Sequence, residues 1–273
     1  MNDFFTLCLE AQEASNIESK LALMQVLRQN GQMLLERITF VDSQSLHTPK
    51  MPSYATFCTI THPTKIRRPK HLKSIQSVAK VLHSIVHIEY SAIDLALDAL
   101  YRFRHMPLEY YSDWLSVALQ EAEHFELLRT CLQSLGYEYG DFPVHTQLFD
   151  AQVATPHLYE RMALLHRGLE ANGLDANPFV TSKIATFEHS VTPHILSSLH
   201  IILRDEIEHV KKGDRWWRYA SSNATPEKFI AILKKFNYLC QMPKILNIDA
   251  RLAAGFSLEE LNLISGVKSH GQG

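Results

Sequence analysis

Two stretches of this chain carry a carboxylate and an imidazole three residues apart: Glu121 and His124 in "LQEAEHFELL", and Glu206 and His209 in "LRDEIEHV". On a helix, positions i and i+3 share a face, so a carboxylate oxygen and an imidazole nitrogen at this spacing converge on one metal ion. With 18 glutamates and 15 histidines among 273 residues, about one such pair arises by chance, and spacing alone therefore decides little. Placement decides more. Glu121 falls one turn after Val117 and one turn before Phe125, in a row that is otherwise apolar. Glu206 interrupts the row Leu199, Ile202, Leu203, Val210, and Glu89 interrupts Leu82, Ile85, Val86, Ile93, Ala96. A buried carboxylate without a counter-charge costs several kcal/mol, so each of these must be neutralised.

Two facing Glu-x-x-His helices make two metal positions, and a lone glutamate from each of two further helices bridges the ions, as in the di-iron carboxylate sites of four-helix bundles. In chain order the candidate metal ligands are Glu89, Glu121 with His124, Glu170, and Glu206 with His209. Glu170 is the least anchored: its row holds Ala163 and His166, Gly173 follows three positions later, and Glu160 and Glu188 compete with it. His87, His83, His166 and Asp205 are candidates for the shell behind the ligands, because a metal-bound imidazole passes its other N–H to a carboxylate or carbonyl. Two iron ions are the expected cofactor, and the same ligands accept manganese or a mixed iron–manganese pair. The metal-free alternative pairs the buried carboxylates with Arg129, Arg161, Arg167 or Arg204.

Helices must position these residues. Only 10 Gly and 11 Pro, with long Leu-, Ala-, Glu- and Arg-rich runs between them, favour an all-α chain, and 46% apolar composition supplies a sizeable core. Residues 1–41 read as an N-terminal helical element broken near Asn16 and Gly31, and 42–70 as an extended Pro-containing linker. Residues 71–222 read as a four-helix bundle. Its helices span about His71 to His105, Leu108 to Leu135, part of His145 to Ala171 ending at "NGLDANP", and Pro193 to Ala220, with a short helical piece around 178 to 189. Residues 223–273 read as a C-terminal cap of two short helices joined by "MPKILNIDARLAAGFS". "DRWWRY", 214 to 219, is placed over the end of the bundle, and Tyr90 reads as an amphipathic packing residue.

The formal net charge of −2 gives no composition-level reason to expect nucleic acid or an anionic membrane as partner. The basic cluster "KIRRPKHLK", 65 to 73, is the one feature that would support contact with RNA or phosphate. Cys8, Cys58, Cys131 and Cys240 form no C-x-x-C, so neither a thiolate zinc site nor a disulfide framework is expected. No signal peptide or membrane span is read, and the expected location is the cytoplasm.

The blocks "HSIVHIEYSAIDLALDALYRF", "YYSDWLSVALQEAEHFELL", "YGDFPVH", "RMALLHRGLEANGLD" and "IILRDEIEHVKKGDRWWRY" resemble the bacterial ferritin-like family known as domain of unknown function 455. The resemblance extends to "FFTLCLEAQEASNIESKLAL" and "NIDARLAAGFSLEEL", and so covers nearly the whole chain. It implies a ferritin-like four-helix bundle with extra N-terminal and C-terminal helices, selects Glu170 over Glu160, and implies the six ligands named above. More distantly the pattern is similar to the non-haem di-iron hydroxylase that acts on a modified adenosine of tRNA. Together these imply an O2-dependent oxidoreductase of hydroxylase or monooxygenase type, with a small-molecule substrate, an electron-donor protein, and tRNA as a weaker candidate partner. Two alternatives stand beside it: an iron-oxidising or iron-storing protein without an organic substrate, and a metal-free structural bundle.

Overall fold

The computed structural model describes residues 3–38, 46–67, 69–239 and 242–270. The protein is an all-α helical bundle protein; among the described residues the extended pairing is an isolated bridge between Ile60 and Val144. The chain forms two compact units, one of Met1–Asp150 with Phe187–Ser198, the other of Ala151–Thr186 with Leu199–Gly273.

The first unit is built on two long helices, α3 (Ile75–Arg102) and α4 (Leu108–Ser134), packed against each other, with α1 (Phe4–Gln12) and α2 (Ile17–Leu35) laid against them. Each start is set by local chemistry. Asp3 accepts the Phe5 and Thr6 N–H groups, Asn16 accepts that of Ser19, and Ser74 and Ser77 form a reciprocal capping box at the head of α3. The expected break near Asn16 is therefore a helix cap. The expected break at Gly31 is not there: α2 runs through it, and an added Cβ would meet Leu115 Cδ2 at 2.8 Å, so the glycine serves close approach to α4. Leu82, Val86, Ile93, Ala96 and Leu97 of α3 and Val117, Ala118, Phe125 and Leu128 of α4 are buried, as their spacing predicts. Lys20 is wholly buried and caps the end of α1 by donating to Ala11 O (2.8 Å) and Gln12 O (3.1 Å), while its ammonium pairs with Asp94. Ser53 donates to the other Asp94 oxygen at 2.6 Å. The linker is thus partly a packed strap, with 3₁₀ turns at Ser53–Thr56 and Pro63–Lys65 and with Tyr54 and Cys58 buried. Residues 39–45, Arg68 and Cys240 lie outside the described residues; Cys8, Cys58 and Cys131 are free and buried.

The helix α5 (Gln147–Ala154) crosses the division between the two units, and α6 (Leu158–Arg161) opens the longest departure from expectation. From α6 the chain passes directly into a π-helical segment, Met162–Leu169, and then into α7 (Ala171–Ile184). Instead of ending at "NGLDANP", the helix continues through Gly173 and Pro178, and the short piece expected around 178 to 189 is its end. Tertiary partners override the local breakers. Arg251 holds the Asp175 carboxylate at 2.6 and 2.9 Å, and Asn177 donates to Leu199 O at 2.8 Å. Then α8 (Thr192–Ala220) runs 29 residues, and α9 (Pro226–Lys235), α10 (Ile248–Ala253) and α11 (Leu258–His270) follow. The C-terminal region has α10 inside the stretch expected to be loop, started by the Asn247 side chain accepting the Ala250 N–H. Trp216 and Trp217 of "DRWWRY" are buried in the second unit.

Candidate metal centre

In the first unit, Glu89 comes from the middle of α3, and Glu121 and His124 come from one face of α4. Their exposures are 4%, 0% and 1%, so no bulk water shields the charges. His124 Nδ1 lies 3.3 Å from Glu89 Oε2 and 3.5 Å from Glu121 Oε2. One ligand atom from each of the three lies within 4.8 Å of the others, a buried group that could hold a metal ion. The donors are carboxylate oxygens and imidazole nitrogen without a thiolate, a set that suits iron, manganese or zinc. Burial pulls the His124 imidazolium down, but hydrogen bonds and charge from Glu121 and Glu89 push it up to about 12. A cation binding here must displace that proton.

In the second unit, Glu206 and His209 share one face of α8, with His209 Nδ1 3.4 Å from Glu206 Oε1 and the imidazole fully buried. His166 lies in the π-helical segment and Glu170 caps it, and His166 Nδ1 is 2.8 Å from Glu170 Oε1. A π-turn inserts one extra residue per turn and is found disproportionately where a helix must re-aim side chains at a site. Gly213, one turn beyond His209, lets that segment pack unusually close: an added Cβ would sit 2.5 Å from His166 O and 2.6 Å from His166 C. Spacing predicts neither the π-turn nor the role of Gly213; the sequence signal is the glycines within two otherwise helical runs, Gly168 and Gly173 in "HRGLEANG" and Gly213 in "VKKGDRWW".

The other candidates are placed as follows. Both ring nitrogens of His87 are engaged, Nδ1 with Tyr139 OH and Nε2 with His145 O, each at 2.8 Å. The carbonyl can only accept, so Nε2 carries the proton and Tyr139 donates to Nδ1. His83 Nε2 accepts the Gly140 N–H at 2.9 Å. Asp205 accepts from the exposed Arg204 at 2.8 Å. Of the arginines named for the metal-free alternative, Arg129 pairs with Glu138 and Glu18, and Arg167 with Asp214 and Glu260. Arg161 donates to Thr155 Oγ1 and Gln152 O. Glu160, the competitor of Glu170, pairs with the exposed Lys235.

Fold and site together define an all-α helical protein with a buried acid and imidazole group able to hold a metal ion. The chain belongs to the family described as protein of unknown function (DUF455), which matches residues 13–262. It is 41% identical over 204 residues to an uncharacterized protein of Haemophilus influenzae, covering 71% of this chain and 69% of the relative. No solved structure matches. Among the described residues no helix is long and apolar enough to cross a membrane.

Proposed function

We propose that the chain is a ferritin-like, non-haem di-iron carboxylate protein, an O2-dependent oxidoreductase that hydroxylates an organic substrate. The observation that carries this reading is the buried group of Glu89, Glu121 and His124, since such charges are tolerated in a core only against compensating positive charge. Six side chains would hold two ions: Glu89, Glu121, His124, Glu170, Glu206 and His209. The two Glu-x-x-His pairs each keep carboxylate and imidazole within 3.5 Å, which supports one ion per pair. When bound, iron supplies the reductive activation of O2. The chain's own residues supply the rest. His124 holds a proton between two carboxylates until metal displaces it, His166 orients Glu170 through its 2.8 Å hydrogen bond, and burial excludes water that would quench an oxidant. A small-molecule substrate, an electron-donor protein and a cytoplasmic location complete the proposal.

Elemental analysis of protein purified under reducing conditions tests it. About two irons per chain are expected, with both lost in Glu121→Ala/Glu206→Ala and with O2 consumed when an electron donor is supplied. Manganese in place of iron changes the metal but leaves the ligand set. Steady iron turnover without a substrate supports a metal-handling protein instead, and a reduced, loaded protein indifferent to O2 refutes the oxygenase.

A further inference from the structure

Residues 43–88 contain no Asp or Glu and seven Lys or Arg, five of them between Lys65 and Lys73 and the others at Lys50 and Lys80. The whole chain carries −2, so a local charge of +7 stands against −9 elsewhere. Lys65, Arg67, Lys70, Lys73 and Lys80 are exposed. Among the described residues no carboxylate pairs with Lys65, Arg67, Lys73 or Lys80.

The fold gathers the middle of this stretch at the start of α3. Pro63 and Ile66 share the walls of a cavity with His83 and Ser84, so the turn bearing Lys65 and Arg67 lies against α3 one turn from Lys80. Lys73 immediately precedes Ser74, the cap of the same helix. Two carboxylates stand in the loop that reaches His83 through the Gly140 N–H. Glu138 is neutralised by Arg129 at 2.9 and 3.0 Å, which leaves the exposed Asp141, whose side chain accepts the Glu138 N–H at 2.7 Å. The surface therefore stays positive.

This positive end borders a row of rings. The Lys80 ammonium sits 5.7 Å over the half-buried Phe142 ring. From Phe142, centroid steps of 5.3 Å to His83, 5.4 Å to Tyr139 and 5.6 Å to Phe125 lead inward, and Tyr139 also meets Tyr90 at 5.2 Å. Phe125 follows His124 in the chain and Tyr90 follows Glu89, so the row ends at the candidate metal centre. Electron tunnelling falls steeply with distance, and a carrier too large to enter the core needs a row of closely spaced groups of this kind. RNA would use the charges but not the rings: single strands stack their bases on exposed aromatic side chains, whereas Tyr54 is buried and Phe57 and Phe142 are half-buried.

We propose that the basic end of α3 docks a small acidic one-electron carrier protein, and that Phe142, His83 and Tyr139 pass its electrons to the metal centre. This rests on the redox reading of that centre. In each transfer the carrier's reduced group loses one electron and a ferric ion gains it to become ferrous, and no covalent bond forms between the proteins. Charge steers such an encounter, and salt weakens it.

The test titrates the full chain, metal-free and iron-loaded, with two acidic carriers, a plant-type ferredoxin and a flavodoxin. At least one should bind both forms, more weakly as salt rises. Lys65→Glu/Lys73→Glu/Lys80→Glu, which changes only exposed side chains, should weaken binding and slow stopped-flow reduction of the ferric protein by that carrier, each by about tenfold or more. Reduction by hydroquinone, which is uncharged and needs no docking, should keep its rate. Phe142→Leu should leave binding unchanged and slow carrier-driven reduction severalfold. The proposal is overturned if the parent binds neither carrier, if the charge variant binds as the parent does, or if Phe142→Leu is reduced at the parent's rate. An oligoribonucleotide bound more tightly than either carrier, and lost from the same charge variant, assigns the surface to RNA and overturns it equally. A chain that takes up no iron refutes the di-iron reading, whereas an iron-loaded, O2-consuming chain that binds neither carrier refutes this proposal alone.

Discussion

Gly213→Ala tests the most demanding contact in the molecule. Its Cβ would lie 2.5 Å from His166 O, 2.6 Å from His166 C and 3.0 Å from Arg167 N, against 3.4 Å for ordinary contact. All three atoms are backbone, so no rotamer can yield, and α8 must part from the π-helical segment by roughly 1 Å. Overpacking of this kind costs about 1–3 kcal/mol, whereas Gly to Ala in a helix interior otherwise gains about 1 kcal/mol. The net expectation is a loss of up to about 2 kcal/mol. Gly173→Ala is the matched control, because nothing lies within 4 Å of its added Cβ, and it should stabilise by about 0.5–1 kcal/mol. Urea unfolding of the two variants and the parent measures both. If the proposed two-ion site is correct, metal content should also fall from about two toward one per chain, since His166 and Glu170 ride on the displaced segment and His209 lies one turn before Gly213. A Gly213→Ala protein as stable as the parent, with full metal content, would refute the close crossing and the reason for the π-turn together.

Three further expectations follow from burial and charge. His83 has its pKa depressed to about 4 in the folded state, against about 6.5 unfolded; between those values only the unfolded chain takes up the proton. Stability is therefore fully present above pH 6.5 and drains away as pH falls toward 4, by up to about 3 kcal/mol, and His83→Gln should flatten that limb of a stability–pH profile. Arg167 is wholly buried between Asp214 and Glu260, with its guanidinium carbon 4.1 Å from the Phe229 ring and 4.2 Å from that of Phe256. Arg167→Met should cost about 3–5 kcal/mol in chemical denaturation, and adding Asp214→Asn and Glu260→Gln should recover part of it. On the proposed function, metal uptake must displace the His124 proton, which Glu121 and Glu89 hold up to about 12, so the apparent iron affinity should rise with pH across the neutral range; a pH-independent affinity measured by competition with a chelator would contradict that reading.

The parts of the molecule legible in the sequence are those set by local rules. Apolar periodicity and caps located α3, α4 and α8 within a few residues of their observed ends, and a carboxylate standing in an apolar row marked Glu89, Glu121 and Glu206 as buried. Each of these signals needs only neighbours within one helical turn. The parts decided by tertiary structure involve partners far apart in the chain. The helix runs through "NGLDANP" because Arg251 and Leu199 O bind Asp175 and Asn177; Arg167 serves Asp214 and Glu260; His87 joins Tyr139 to the His145 carbonyl. The π-turn at Met162–Leu169 belongs with them, since it depends on the close pass of Gly213 against a backbone nearly fifty residues away. Residue types and spacing thus determined which side chains had to be neutralised, while long-range packing decided which partner each received, because a charge can be read from one position but its counter-charge depends on where the rest of the chain is free to go.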